Sequence, residues 1–116
     1  MGLYRMFDII GYIYKQLENL GVSVQEGCYD ENINDTHITY FCVNENETEF
    51  EDDVNTCEKY LIQVDIWSKE DVLELKEKVK IALKEADFTF KYARDFIETD
   101  TKIYHKVLRF EYVWRK

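Results

Sequence analysis

YLIQVDIWSK, residues Tyr60–Lys69, is the stretch on which the fold turns. Side chains alternate along a strand, so Tyr60, Ile62, Val64 and Ile66 fall on one face and Leu61, Gln63, Asp65 and Trp67 on the other. The first face is oily. The second mixes a carboxylate and an amide with Leu and Trp. Ser68 then opens S-K-E-D, where the hydroxyl is predicted to cap a helix and Asp71 to answer it three residues later. A strand that turns directly into a capped helix sets the middle of the chain.

Upstream, Met6, Ile9, Ile10, Ile13, Leu17 and Leu20 recur at three- and four-residue spacing and predict a helix over about Leu3 to Leu20, stopped by Gly21. Gly11 weakens its middle by about 1 kcal/mol relative to Ala, or admits a close neighbour. Val22–Gly27 reads as a short strand and Tyr29–Asp35 as a polar loop. Thr36–Asn44 is a strand with apolar groups on both faces: Ile38, Tyr40 and Cys42 on one, Phe41 and Val43 on the other. One face meets the helices; the other needs cover from a neighbouring segment or subunit. The run 45–53, ENETEFEDD, reads as a solvated acidic loop carrying Glu45, Glu47, Glu49, Glu51, Asp52 and Asp53.

Downstream, Val72, Leu75, Val79, Ala82, Leu83 and Ala86 predict a second helix over about Lys69 to Ala86. The chain closes in a hairpin. Phe88, Phe90, Tyr92, Arg94 and Phe96 alternate with Thr89, Lys91, Ala93 and Asp95, the turn lies near Glu98–Thr101, and the last strand sets Tyr104, Leu108, Phe110, Tyr112 and Trp114 against His105, Arg109 and Glu111. The expected class is α+β in the order α-β-β-β-α-β-β. It has a mainly antiparallel sheet of about four to five strands, with both helices on one face. At 116 residues the chain is expected to be one domain, 1–116, able to bury a core without disulfides or metals.

Charge narrows the function. A net charge of −9 repels phosphate, which argues against autonomous binding of nucleic acid or of anionic membranes. No apolar run is long enough for a signal peptide or membrane span, so the chain reads as cytosolic when made. Cys28, Cys42 and Cys57 are three, widely spaced, and read as buried thiols in a reducing compartment rather than a zinc site. Aromatic residues make up 16% of the chain, a surplus expected to reach the surface or a subunit contact.

Motifs that carry chemistry are thin. Asp30, Asn32 and Asn34 have EF-hand spacing, but position six is Asp35 rather than Gly and position twelve is Phe41 rather than Glu, so the loop reads as a polar turn. The acidic run is more simply a solvated face than a cation site. His37 and His105 have no Ser or Cys beside them, and the four glycines form no phosphate loop. No cofactor is expected. Asp65, if buried mid-strand, needs a partner, and Arg94 and Arg109 of the final hairpin are the candidates.

Three stretches together resemble the tail-terminator, or tail-completion, proteins of long-tailed phages, including the small head–tail joining family. They are GVSV after the first helix, QVDIWSKEDVLELKEKVKIAL across strand and second helix, and RDFIETDTKIYHKVLRFEYVW across the hairpin. The family pattern V-D-x-W before the helix falls on Val64–Trp67, and its acidic-Thr turn before a strand like I-Y-H-x-x-L-x-F falls on 98–110. The likeness spans nearly the whole chain, and residues 29–56 depart from it most, lacking the family's proline. It implies a non-enzymatic virion part. Such a part assembles in the host cytoplasm as a ring of its own copies, commonly a hexamer, on the head-proximal end of the tail. There it contacts the tail tube protein and the head–tail connector protein, and DNA passes without being bound. Asp65, Trp67, Phe41, Arg94 and Arg109 are the expected subunit or tail contacts, and the acidic run an inner rim that would not retain DNA. Rival readings are a head-side adaptor or stopper, a small cytosolic enzyme using His105 or Asp65, and an acidic DNA mimic.

Overall fold

A computed structural model describes residues 7–27, 35–49, 56–98 and 100–115. The apolar periodicities become α1 (Ile9–Leu17), β1 (Ser23–Glu26), β2 (His37–Glu49), β3 (Thr56–Ser68), α2 (Leu73–Glu85), β4 (Thr89–Glu98) and β5 (Ile103–Arg115), the expected order. The sheet has five strands ordered β1-β2-β3-β5-β4, antiparallel except for β1 beside β2. β3 is therefore central, and its oily face behaves as its alternation requires. Ile62, Val64 and Ile66 are fully buried, and they join Ile13 and Leu17 of α1, Val79 and Leu83 of α2, and Leu108 and Phe110 of β5 in one cluster. Both helices thus lie on one face of the sheet, and the fold is α+β.

The start of α1 is set by its cap rather than by its apolar stripe. In α1 the carboxylate of Asp8 accepts the Gly11 N–H at 2.9 Å, fixing the start there, while residues 3–6 of the expected helix lie outside the described residues. A Cβ on Gly11 would stand 2.3 Å from Asp8 Oδ2, so the close neighbour that Gly11 admits is the cap itself. α1 ends at Leu17 with Glu18 as its C-cap, short of the expected Leu20, so Gly21, at φ +87°, turns the chain into β1 rather than stopping the helix. The tyrosine hydroxyls of Tyr12 and Tyr40 donate to the carbonyls of Ala86 and Ile10 and tie α1 to the end of α2 and to the sheet.

The expected cap of α2 is corrected. The helix begins at Leu73, four residues after Lys69, and its N-cap position, Val72, supplies no side-chain bond. Ser68 ends β3 instead. Its Oγ accepts the Glu70 N–H at 3.1 Å and bonds Thr36 Oγ1 at 2.7 Å, so the hydroxyl holds the turn and not the helix. Asp71 turns away to Lys106, whose ammonium, 3% exposed, lies 2.9 Å from Asp71 and 3.3 Å from Asp95 of β4. Burial pulls the Lys106 pKa down, but the bonds to Asp71 and Asp95 outweigh it and leave it raised.

Two bulges change what the strands present. The pairing of β2 with β3 shifts between Cys42 and Asn44, after which the strand runs on to Glu49 opposite Thr56. The acidic loop expected at 45–53 is therefore corrected in its first half: residues 45–49 are paired strand. Backbone pairing with β3 holds them in a strand whatever their side chains carry. Glu51, Asp52 and Asp53 lie outside the described residues, as does the polar turn at 30–34. In the hairpin, Phe90 stands opposite Phe110 but Tyr92 opposite Arg109, so a bulge at Lys91 turns Tyr92, Arg94 and Phe96 to the face away from the helices. Their expected grouping with Phe88 and Phe90 does not hold beyond the bulge.

Removing both carboxylates from Lys106 with Asp71→Asn and Asp95→Asn leaves a buried ammonium unpaired. Because both partners are half exposed, the expected loss is about 1–3 kcal/mol. Lys106→Met is expected to be nearly neutral. Urea unfolding curves of the two proteins check the order. Alkali supplies a second test. Burial, reinforced by Glu26 and Asp8, pushes the Tyr40 phenol from 10.0 up to about 12. The unfolded chain gives up that proton first, so stability holds below pH 10 and falls between about 10 and 12. Tyr60, Tyr112 and Lys106 are shifted in the same direction. Tyr40→Phe is expected to lose about 1 kcal/mol at neutral pH through the bond to Ile10, and to show a shallower alkaline decline in a pH series of melting temperatures.

Candidate functional site on the open face of the sheet

The face of the sheet opposite the helices carries the residues for which the sequence has no structural explanation. Register arranges them in rows across four strands: His37, Trp67, His105 and Phe96; then Thr39, Asp65, Val107 and Arg94; then Phe41, Gln63, Arg109 and Tyr92. Neighbours in a row, and on the diagonal between rows, are close enough for long side chains to touch.

The centre of the grid is a polar network. Asp65 is 3% exposed, and its Oδ1 accepts from His105 Nε2 at 2.7 Å and from Gln63 Nε2 at 2.9 Å. Gln63 Oε1 accepts in turn from Arg109 Nε at 2.7 Å. The Trp67 indole donates to Thr39 Oγ1 at 2.9 Å and lies flat on the His105 ring, with centroids 3.6 Å apart and planes 13° apart. His37 stacks on the far side of the row at 6.5 Å. Without a helix over this face, the aromatic rings themselves exclude water from Asp65, and donors from two strands satisfy it.

The expected partners of Asp65 are thus corrected. Neither arginine reaches it. His105 is the direct partner: Val107 stands opposite Asp65, His105 and Arg109 are its two diagonal neighbours on β5, and Arg109 bonds Gln63 instead. Arg109 acts one step away through Gln63. Arg94 lies on β4, beyond β5, with its guanidinium 6.0 Å from the Tyr92 ring, and Arg109 approaches the same ring at 5.9 Å. Tyr92 and Phe96 are about half exposed, at 46% and 47%. Alternation along the last strand already places His105 and Arg109 on one face. Tyr92 and Phe96 arrive there only through the bulge, for which the sequence offers no signal. Phe41, Trp67 and Arg109 share this face and are partly buried, whereas Asp65 is enclosed within the subunit.

A His–Asp pair orients a base in many hydrolases, so its surroundings bear on chemistry. Among the described residues no hydroxyl or thiol bonds the His105 ring, and Trp67 covers one of its faces. Cys42 points to the helix side of the sheet, opposite Ile62. Burial and the neighbouring Glu45 push its thiol pKa up, and its Sγ–H is spent on the Asn44 carbonyl. Such a thiol is a poor nucleophile. Among the described residues no group of three or more His, Cys, Asp or Glu could hold a metal ion, and no helix is long and apolar enough to cross a membrane.

No family model matches this chain, and no curated protein matches it. Among solved structures it is similar to a chain from the virion of the native gene transfer agent (GTA) particle, with a TM-score of 0.61 and 12% sequence identity, over 90% of this chain and 92% of that one. At that identity the likeness is one of fold.

In a double-mutant cycle, Asp65→Ala and His105→Ala are expected to couple by about 1–3 kcal/mol, as contacting members of one network do. Asp65→Ala and Arg94→Ala should add within about 0.5 kcal/mol. Equilibrium denaturation of the variants measures both. Strong coupling to Arg94 would restore the arginine pairing that alternation alone suggests.

Proposed function

We propose that this protein is a structural virion protein of a phage or prophage that caps the head-proximal end of the tail tube as a ring, commonly of six copies. In this reading it ends tube polymerisation and offers the joining surface to the head connector. The observation that carries the reading is the fold likeness to a chain of a gene transfer agent virion over nearly the full length of both chains.

The residues behind the family resemblance also have physical work in this fold, which supports the reading. Asp65 and Trp67 of V-D-x-W hold the network on the open face. At the acidic-Thr turn, Thr101 Oγ1 donates to Glu98 Oε2 at 3.3 Å and the Lys102 N–H to the Glu98 carbonyl at 2.7 Å, closing the hairpin. The open face carries aromatic and arginine side chains, the composition found at interface centres. The net charge of −9 suits a channel through which DNA slides without sticking.

Purified protein added to assembling tail tubes should stop growth and appear at one tube end in electron micrographs, and a phage lacking the gene should make overlong tubes without heads. Binding to filled heads rather than to tubes would move the protein to the head-side adaptor or stopper position. Tubes of normal length in its absence, with no binding to tubes or heads, would sink the virion reading.

A further inference from the structure

The edge of the sheet at β4 has the character of a strand that pairs with another strand. We infer that β4 of one copy pairs antiparallel with β4 of a second copy, about a two-fold axis at Phe96, so that the two sheets run into one across a symmetric dimer of the free chain. The contact concerns the protein before any tail is present and goes beyond the preceding reading without resting on it.

β4 stands last in the strand order, and among the described residues no strand lies beyond it. The devices that guard an edge, a lysine and a bulge, sit at Lys91. Beyond them the strand runs regularly from Tyr92, opposite Arg109, to Glu98, opposite Ile103. Its outward N–H and C=O groups therefore form an unbroken row, and the chain has no proline to interrupt it. The side chains agree with the backbone. Among the described residues seven large hydrophobic side chains stand exposed, and Tyr92, Phe96 and Ile97 of β4 are three of them. They are divided between the faces. Tyr92 and Phe96 lie on the open side, whereas Ile97, 61% exposed, lies on the helix side opposite Tyr104. A partner docked on either face would cover one group alone. A strand laid along the edge covers both, because its own side chains alternate in the same way.

The charges on the open side select a second copy as that strand. Arg94, Phe96 and Glu98 are exposed and follow one another there as cation, ring and anion at equal spacing. Read in reverse, the order is anion, ring and cation. Antiparallel pairing centred on Phe96 thus sets Arg94 opposite Glu98 of the second copy twice, on either side of two facing phenyl rings. Cross-strand ion pairs and aromatic pairs of this kind stabilise a sheet. Both charges can serve. Among the described residues no carboxylate pairs with Arg94, whose guanidinium lies 6.0 Å from the Tyr92 ring, and Glu98 Oε2 accepts only the Thr101 hydroxyl, at 3.3 Å. On the helix side the same register brings the two Ile97 side chains to diagonal positions, while Asp95 keeps its bond to Lys106. The other open edge, β2 beyond Tyr40, offers no such match. Continuing the sheet there would place Glu45 and Glu47, which share the side of Tyr60, on the side of Asp95. A strand that complements itself makes an isologous contact, which closes at two copies.

Charge reversal tests this with a signature particular to a two-fold contact. At high protein concentration the wild-type chain should dimerise in native mass spectrometry and sedimentation, with hydrogen exchange slowed at β4 amides. Arg94→Glu and, separately, Glu98→Arg set like charges face to face. Each should weaken the dimer on the order of tenfold or more, with melting temperatures near wild type because both side chains are exposed. An equimolar mixture of the two variants should form a one-to-one heterodimer, and a chain carrying both changes should dimerise with itself. The inference is overturned if wild type stays monomeric, if either single variant dimerises like wild type, or if the mixture or the double variant fails to recover the dimer. A wild type that never dimerises, yet loses tail-tube binding on Arg94→Glu, overturns it too, because the edge would then meet a different virion protein.

Discussion

The central strand β3 is buried from both sides, yet helices cover only one of them. Everything else in the fold follows from that asymmetry. On the helix side, Ile62, Val64 and Ile66 are met by apolar stripes from α1 and α2, and burial alone stabilises the contact. On the open side, Asp65 is almost as deeply enclosed, and no element stands above it. A carboxylate there is tolerable only if it is hydrogen-bonded and shielded. Gln63 of β3 itself and His105 of β5 supply the donors, and Trp67, anchored on Thr39 of β2, covers the His105 ring. The open face is therefore half core and half surface, and only its β4 side remains available to a partner.

The bulges decide which side chains that side presents. Were Lys91 paired regularly instead of bulged, Tyr92, Arg94 and Phe96 would continue the face begun by Phe88 and Phe90 and would meet the helix layer. Asp95 would then face away from Lys106, its ion-pair partner. With the bulge, Asp95 faces the buried ammonium and the arginine faces outward. One inserted residue thus satisfies a buried charge and creates an exposed cationic strip at once. The shift between Cys42 and Asn44 acts similarly on β2, setting Glu45 and Glu47 opposite Tyr60 and Glu58.

These two events mark the limit of what alternation reveals. The order of elements, the stripes of both helices, the two faces of β3 and the turn near Glu98 were legible because each rests on a repeating period over many residues. The Ser68 cap was not, because S-K-E-D satisfies the pattern of a capping box while Lys106, far away in sequence, draws Asp71 off. Residues 45–49 misled for a related reason. A run of carboxylates looks like a solvated loop, but strand formation depends on backbone partners that β3 provides irrespective of side-chain charge. At the site, the sequence placed His105 and Arg109 together yet assigned Asp65 to an arginine. The geometric preference for a diagonal neighbour over the residue directly opposite is visible only once register is known.

The aromatic surplus, expected to reach the surface or a subunit contact, reaches the surface only in part. Much of it is consumed inside. Phe7 stacks on Tyr112 and Trp114 at 5.3 and 5.4 Å, and Tyr12, Phe88 and Tyr112 pack around them, closing the helix side where β5 runs past the helices. Two half-exposed rings, Tyr92 and Phe96, are left beside the exposed Arg94 on the open face. An interface built from so little apolar surface gains modestly from the hydrophobic effect. Charge must then select the partner, and screened surface charges contribute little until several act together. Contacts made through these features would be weak one at a time and strong only where many act together.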